Sequence, residues 1–341
     1  MVSMKNSDLK SIKLLLVVIA MPIVFYILKV LSFIFIPLLF SMLIALFFMP
    51  LMRKMNKLKV HKVFSLMLVV LIIGVFVMII NQIIQYSGKE LMSPETDIIN
   101  KIILKINETV FSLESSFNVE LVEGDDKVAG LLKQLNLKAF FKSTGSIISM
   151  SISATFFTIL LLVESLNFQR ILNQTLIKGK SKSIKLFIKI EQAILTFVKV
   201  KFLMSLFTGV GFSLACYFFD VDFPIFWGFV TFLLNFIQMI GSFIAIIILA
   251  LFAFVGIEDP STLFFFILSI SGVQVIFGSI TEPILMGKSF SINVVTILIM
   301  LMFWGFIWGI PGMILSVPLT VFIKIMLEQF NKTKILAALM S

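Results

Sequence analysis

Between Glu282 and Leu327 the chain reads EPILMGKSFSINVVTILIMLMFWGFIWGIPGMILSVPLTVFIKIML. A charge and a proline open the segment, and an apolar run climbs away from them. The run breaks at Gly309-Ile310-Pro311-Gly312, and a second apolar arm continues to Lys324. Water-soluble helices have no use for such a sequence. Two short apolar arms around a Gly/Pro break predict a helical hairpin or broken helix inside a bilayer. Irregular backbone survives there only beside protein or a cavity.

Composition agrees with that setting. Of 341 residues, 60% are hydrophobic and 13% charged, with a mean hydropathy of +1.12. Soluble domains run at about 45–50% apolar and about 25% charged, so an all-α integral membrane protein is expected. Cys216 and His61 are the only residues of their types. An intrachain disulfide is excluded, a multi-His or multi-Cys metal site lacks ligands, and no cofactor is expected. The net charge of +10 flanks membrane segments and does not point to nucleic acid.

Taken in order, residues 1–84 predict three spans, at 14–28, 30–52 and 63–84. Residues 85–143 are charged and amphipathic, with Ile98, Ile102, Ile106, Val110 and Leu113 at helical spacing. They predict a small helical extracytoplasmic domain. Residues 144–201 hold a fourth span and a basic amphipathic connector, whose second half reads as a helix on the membrane surface or a link between bundles. The transport region is expected at 202–327, and residues 328–341 form a polar cytoplasmic tail.

Charge sets an orientation. Placing the N-terminus, the 53–62 loop, the connector, Lys288 and the C-terminal lysines in the cytoplasm puts 20 of the 28 Lys/Arg there, as the positive-inside rule requires. Both termini are then cytoplasmic, in the plasma membrane. In this frame the helix 202–219 runs outward before a broken segment at 224–255, and the helix 263–280 runs inward before the opening hairpin. An offset of 70 residues superposes Phe236-Ile237 on Phe306-Ile307 and Gly241-Ser242 on Pro311-Gly312. Two inverted helix–hairpin units of this kind point to a secondary transporter with its site where the breaks meet.

The segments NFIQMIGSFIA from Asn235, VQVIFGSITEPILMGKSFSINVVTILI at 273–299 and WGIPGMILSVPLTVFIKIML at 308–327 resemble the autoinducer-2 exporter family. The basic connector and the insert after the third span belong to the same pattern, so the resemblance covers essentially the whole chain. It implies about eight spans, a homo-oligomer, with a pentamer as the candidate assembly, and an elevator-like carrier of small solutes. Relatives are associated with export of a small polar signal or with sodium–proton antiport. The sequence departs from the family where Gln238 and Ser242 replace prolines, so a less sharply broken first hairpin is expected.

Charges and amides inside a membrane are costly, about 2.5–3.5 kcal/mol for a charge on insertion scales, and mark candidate sites. Glu282, beside Pro283, reads as a carboxylate for a proton, a cation or a polar solute, or else as an interfacial residue paired with Lys288 or a helix end. Asn235 and Gln238 offer amide donors and acceptors to a hydroxylated solute or a cation, or to a neighbouring helix. Gln274 and Ser279 are further solute- or ion-binding candidates. Gly241, Ser242, Gly309, Pro311, Gly312 and Pro318 are the expected hairpin breaks and pivots, and Gly305/Gly309 has the spacing of a close helix contact.

Three functions fit these residues: a carrier of a small polar solute, directed outward; a sodium–proton antiporter with Glu282 as the titrating group; and a membrane scaffold that moves nothing. No Gly-x-Ser-x-Gly elbow, His-Glu-x-x-His or phosphate-binding loop is present, so enzyme activity is not expected.

Overall fold

The computed structural model describes residues 6–91, 105, 150–164, 181–287, 292–331 and 333–341. Nearly all of the expected 85–143 insert, the first part of the connector and Lys288 lie outside the described residues. The described elements are helical: α1 Asn6–Val30, α2 Ser32–Lys57, α3 Lys62–Leu91, α4 Met150–Glu164, α5 Ser181–Phe218, α6 Pro224–Leu234, α7 Ile240–Gly256 and α8 Pro260–Gln274. A π-helical segment, Val275–Thr281, leads into α9 Glu282–Met286, followed by α10 Val294–Trp308, α11 Ile310–Leu327 and α12 Lys334–Leu339.

Five stretches among these are long and apolar enough to cross a membrane: Ser32–Lys57, Lys62–Gln85, Ile188–Phe218, Pro260–Met286 and Ile310–Leu327. Pro22 and Pro37 lie inside α1 and α2, as membrane helices tolerate. One element is longer than the sequence suggests. The connector's second half and the fifth span form the single 38-residue α5, so the expected division at 201/202 falls within a continuous helix. Lys199 and Lys201 therefore belong to the apolar stretch Ile188–Phe218.

The chain divides into two compact units. One comprises residues 1–51, 153–195 and 290–341. Its core is a hairpin of α10 and α11, in which Trp304, Ile307, Trp308 and Leu315 pack with Phe25, Leu39 and Phe303. Leu28 is in the last turn of α1, where carbonyls lack helical partners, and Trp308 Nε1 donates to its oxygen at 2.9 Å. The polar tail expected at 328–341 is folded in this unit. Ala337 and Met340 are buried. Asn293 donates from its backbone to Met340 O at 3.0 Å and from Nδ2 to Leu339 O at 2.7 Å. The same side chain caps α10, Oδ1 accepting from Thr296 N at 2.7 Å.

The other unit comprises residues 52–152 and 196–289. Phe212, Cys216, Trp227, Leu249, Phe266 and Ile270 form its core. A Cβ on Gly209 would stand 2.6 Å from Gly228 O, so glycine on both helices lets α5 and α6 pack at backbone distance. Alongside α5 the stretch 260–286 runs antiparallel. Lys201 meets Glu282, Phe207 stacks near Phe277 with centroids 5.6 Å apart, and Gly211 lies under Val273.

Candidate functional site

The first hairpin breaks without its prolines. α6 ends at Leu234 and α7 begins at Ile240, so the break spans 235–239, ahead of Gly241 and Ser242. Its sharpest point is Met239, with φ 61° and ψ −57° and a bond from Ile240 N to Gln238 O of 2.7 Å. This is a γ-turn with positive φ, a rare and strained conformation for a residue with a Cβ. The break expected to lack proline thus spans five residues and holds backbone strain at Met239. Gly241 then sits so close to Leu234 O that no Cβ would fit.

In the second hairpin the turn residue is Gly309, at φ 64° and ψ −144°, a conformation that glycine alone adopts readily. Pro311 lies in the first turn of α11, where a missing N–H costs no helical bond. Gly312 lies against Trp304 O, again leaving no room for a Cβ, and Gly305 faces the Met313 side chain. Pro318 lies inside α11, not at the break.

Asn235 is held at the first break, 1% exposed. Its Nδ2 donates to Ser205 Oγ at 3.1 Å, and its Oδ1 accepts from Ser242 Oγ at 3.0 Å. The amide thus ties both ends of the break to α5. The Ser242 hydroxyl closes the break from the start of α7.

Glu282 is prepared by the π segment. Pro283 has no N–H, and its ring would collide with the carbonyl four residues earlier in a regular helix. The helix widens instead. Glu282 N bonds to Phe277 O, five residues back, and Thr281 Oγ1 donates to Ile276 O at 2.7 Å. π-bulges of this kind recur at functional sites. The Glu282 side chain lies against α5, 2% exposed, with Lys201 Nζ at 2.8 Å from Oε1 and 3.1 Å from Oε2. Lys201 is equally buried.

Two of the expected residues, Asn235 and Glu282, are therefore gathered onto α5. Their holders, Ser205 and Lys201, are four residues apart and share one helix face, with buried Thr208 continuing the stripe. Lys201 and Ser205 also straddle residue 203, the midpoint of the apolar stretch Ile188–Phe218. Gln238 and Gln274 each carry a buried Oε1 with no hydrogen-bond partner. The Gln274 amide is folded over Gly278, which has no Cβ to obstruct it. Ser279 is exposed.

Lys201 and Ser205 are the partners of the candidate residues that sequence reasoning missed. A lysine and two hydroxyls at i, i+4 and i+7 within an apolar helix are the signal that would have found them.

Comparison with known proteins places this geometry in context. The family described as AI-2E family transporter matches residues 15–332. A putative transport protein of Borreliella burgdorferi is 32% identical over 140 residues, 40% of this chain and 38% of its own length. The AI-2 transport protein TqsA of Escherichia coli is 37% identical over 127 residues, 36% of this chain and 35% of its own. In these two matches the chain covers less than two fifths of each relative's length. The putative transport protein YueF of Bacillus subtilis is 22% identical over 309 residues, 86% of this chain and 83% of its own.

Proposed function

Because the chain belongs to the AI-2E family of membrane transporters, we propose that it is a secondary carrier of a small polar solute, directed outward, working by elevator-like alternating access. The observation that carries this reading is the meeting of Asn235 and Glu282 on one face of α5, at the midpoint of its apolar stretch. Polar groups within an apolar stretch are costly, pair with one another, and where retained mark solute or ion paths. Broken segments near the midplane expose backbone groups that a solute can engage. Unpartnered amide oxygens at Gln238 and Gln274 favour a cargo that donates hydrogen bonds. The name of the TqsA relative makes the AI-2 signal the first solute to try. In this reading the protein is a homo-oligomer of the plasma membrane with both termini in the cytoplasm, and it performs no covalent chemistry.

A second reading is sodium–proton antiport, with Glu282 as the titrating carboxylate. It is favoured by the burial of that residue at 2% exposure, and it requires Lys201 to leave the carboxylate before a proton or a cation takes its place.

Proteoliposomes separate the two. Uptake of labelled polar solute that persists without an ion gradient supports the solute carrier. Cation flux coupled to pH, with no solute uptake, supports the antiporter. Absence of both fluxes in correctly assembled protein would defeat either reading.

A further inference from the structure

We infer that Lys201 is a specificity-determining residue: its ammonium occupies the place on Glu282 that a monovalent cation would otherwise take. The Lys201 Nζ lies within hydrogen-bond distance of both carboxylate oxygens, 2.8 and 3.1 Å away. Both side chains are 3% exposed, so neither charge is balanced by water. The neighbouring groups that bond within this cluster, Ser205, Asn235 and Ser242, are neutral.

An ammonium and a monovalent metal ion bring the same charge to the same two oxygens. In a site of low polarisability two such charges repel strongly, and their occupancy of Glu282 is mutually exclusive. The paired state is neutral and closed to cations. Moving the lysine away leaves a buried carboxylate, which is strongly unfavourable without a counter-charge. A cation of small radius then becomes its replacement partner. Lys201 thereby decides whether this site takes a cation at all. The inference gives the transport reading a charge selectivity and in that respect rests on it, but its test does not require transport.

The test is thermal unfolding of the purified full-length protein in sodium chloride and in choline chloride at matched ionic strength. Wild type, Lys201→Arg, Lys201→Gln and the double variant Lys201→Gln/Glu282→Gln are compared. A bound cation raises the unfolding temperature by mass action. Lys201→Gln is expected to show sodium-specific stabilisation, with an apparent affinity at least about tenfold tighter than wild type. Lys201→Arg should behave as wild type, and the double variant should ignore sodium.

Recovery of a poorly folded Lys201→Gln by sodium alone would give the same support. Equal sodium dependence in all four proteins would overturn the inference. So would a Lys201→Gln protein that sodium neither stabilises nor rescues while the double variant folds. A wild type that moves no solute across liposomes would remove the transport reading and leave this binding result standing.

Discussion

Lys201 and Ser205 stand one turn apart on α5, and each holds a different broken element. Lys201 grips Glu282 beyond the π segment, with Nζ–Oε1 of 2.8 Å, and Ser205 grips Asn235 at the first hairpin break, 3.1 Å away. One helix face therefore sets the spacing between the two polar groups that the sequence singles out. Disturbing either hold should be felt locally before it is felt by the whole unit.

Asn235→Ala removes a buried donor and acceptor and leaves the Ser205 and Ser242 hydroxyls without their amide partner. A loss of about 1–3 kcal/mol is expected from such unsatisfied groups. Asn235→Asp keeps the acceptor for Ser242, loses the donor to Ser205, and buries a charge beside the break, so it should be no better tolerated. Thermal unfolding of both variants checks this. A neutral Asn235→Ala would mean that the amide does not hold the break.

The two hairpin turns should respond to substitution with opposite signs. Gly309→Ala forces a Cβ into φ 64°, ψ −144° and should cost about 1–3 kcal/mol. Met239→Gly removes a Cβ from a strained γ-turn, and the strain relieved outweighs the packing lost from a side chain that is 36% exposed. The unfolding temperature should fall for the first and rise for the second. A fall of similar size in both would show that the turn at Met239 is not strained.

How far the sequence revealed these features depended on distance along the chain. Gly309-Ile310-Pro311-Gly312 announces its break because glycine and proline are local punctuation, and the turn lies there. The first break lacks that punctuation at its centre. The sequence suggested Gly241-Ser242, whereas the chain turns at Met239, a residue with no breaker signature. The membrane helices follow from hydropathy alone, but the merging of the connector into α5 does not, since lysines spaced at helical period look the same on a surface helix and on a buried one. Glu282 was legible as anomalous, and its partner was not. Lys288 is close in sequence, whereas Lys201 lies 81 residues away, a pairing that only tertiary packing creates.

Asn293 joins the start of α10 to the C-terminal helix, and its two functions can be separated. Asn293→Asp retains an oxygen to cap Thr296 N but replaces the donor to Leu339 O. Asn293→Ala removes both. Hydrogen exchange should show α12 loosened in both variants and the first turn of α10 loosened only in Asn293→Ala, where loss of a cap costs about 1 kcal/mol. Equal protection of α12 in wild type and Asn293→Asp would contradict this role.

Asp259, ahead of α8, accepts from Thr262 Oγ1 at 2.6 Å and from the Thr262 and Ser261 amides. Those bonds, the Thr262 hydroxyl first, hold its carboxyl below the usual range. A depressed folded-state pKa gives a contribution that is complete above the unfolded value of about 4 and disappears as pH falls through the folded value. Exchange protection at Ser261 and Thr262 should weaken on acidification below that point. Asp259→Asn should keep a cap and lose the pH dependence. Protection in wild type that is constant across the acid range would reject the assignment.

The most direct test of the site is solute and cation flux in proteoliposomes containing wild type or the charge-neutral double variant Lys201→Gln/Glu282→Gln. Removing both charges avoids the folding cost of a lone buried ion, so loss of flux can be attributed to the site once assembly is verified. Gradient-driven flux is expected in wild type and at least about a tenfold loss in the double variant. Undiminished flux in a folded double variant would place the transport path elsewhere in the protein.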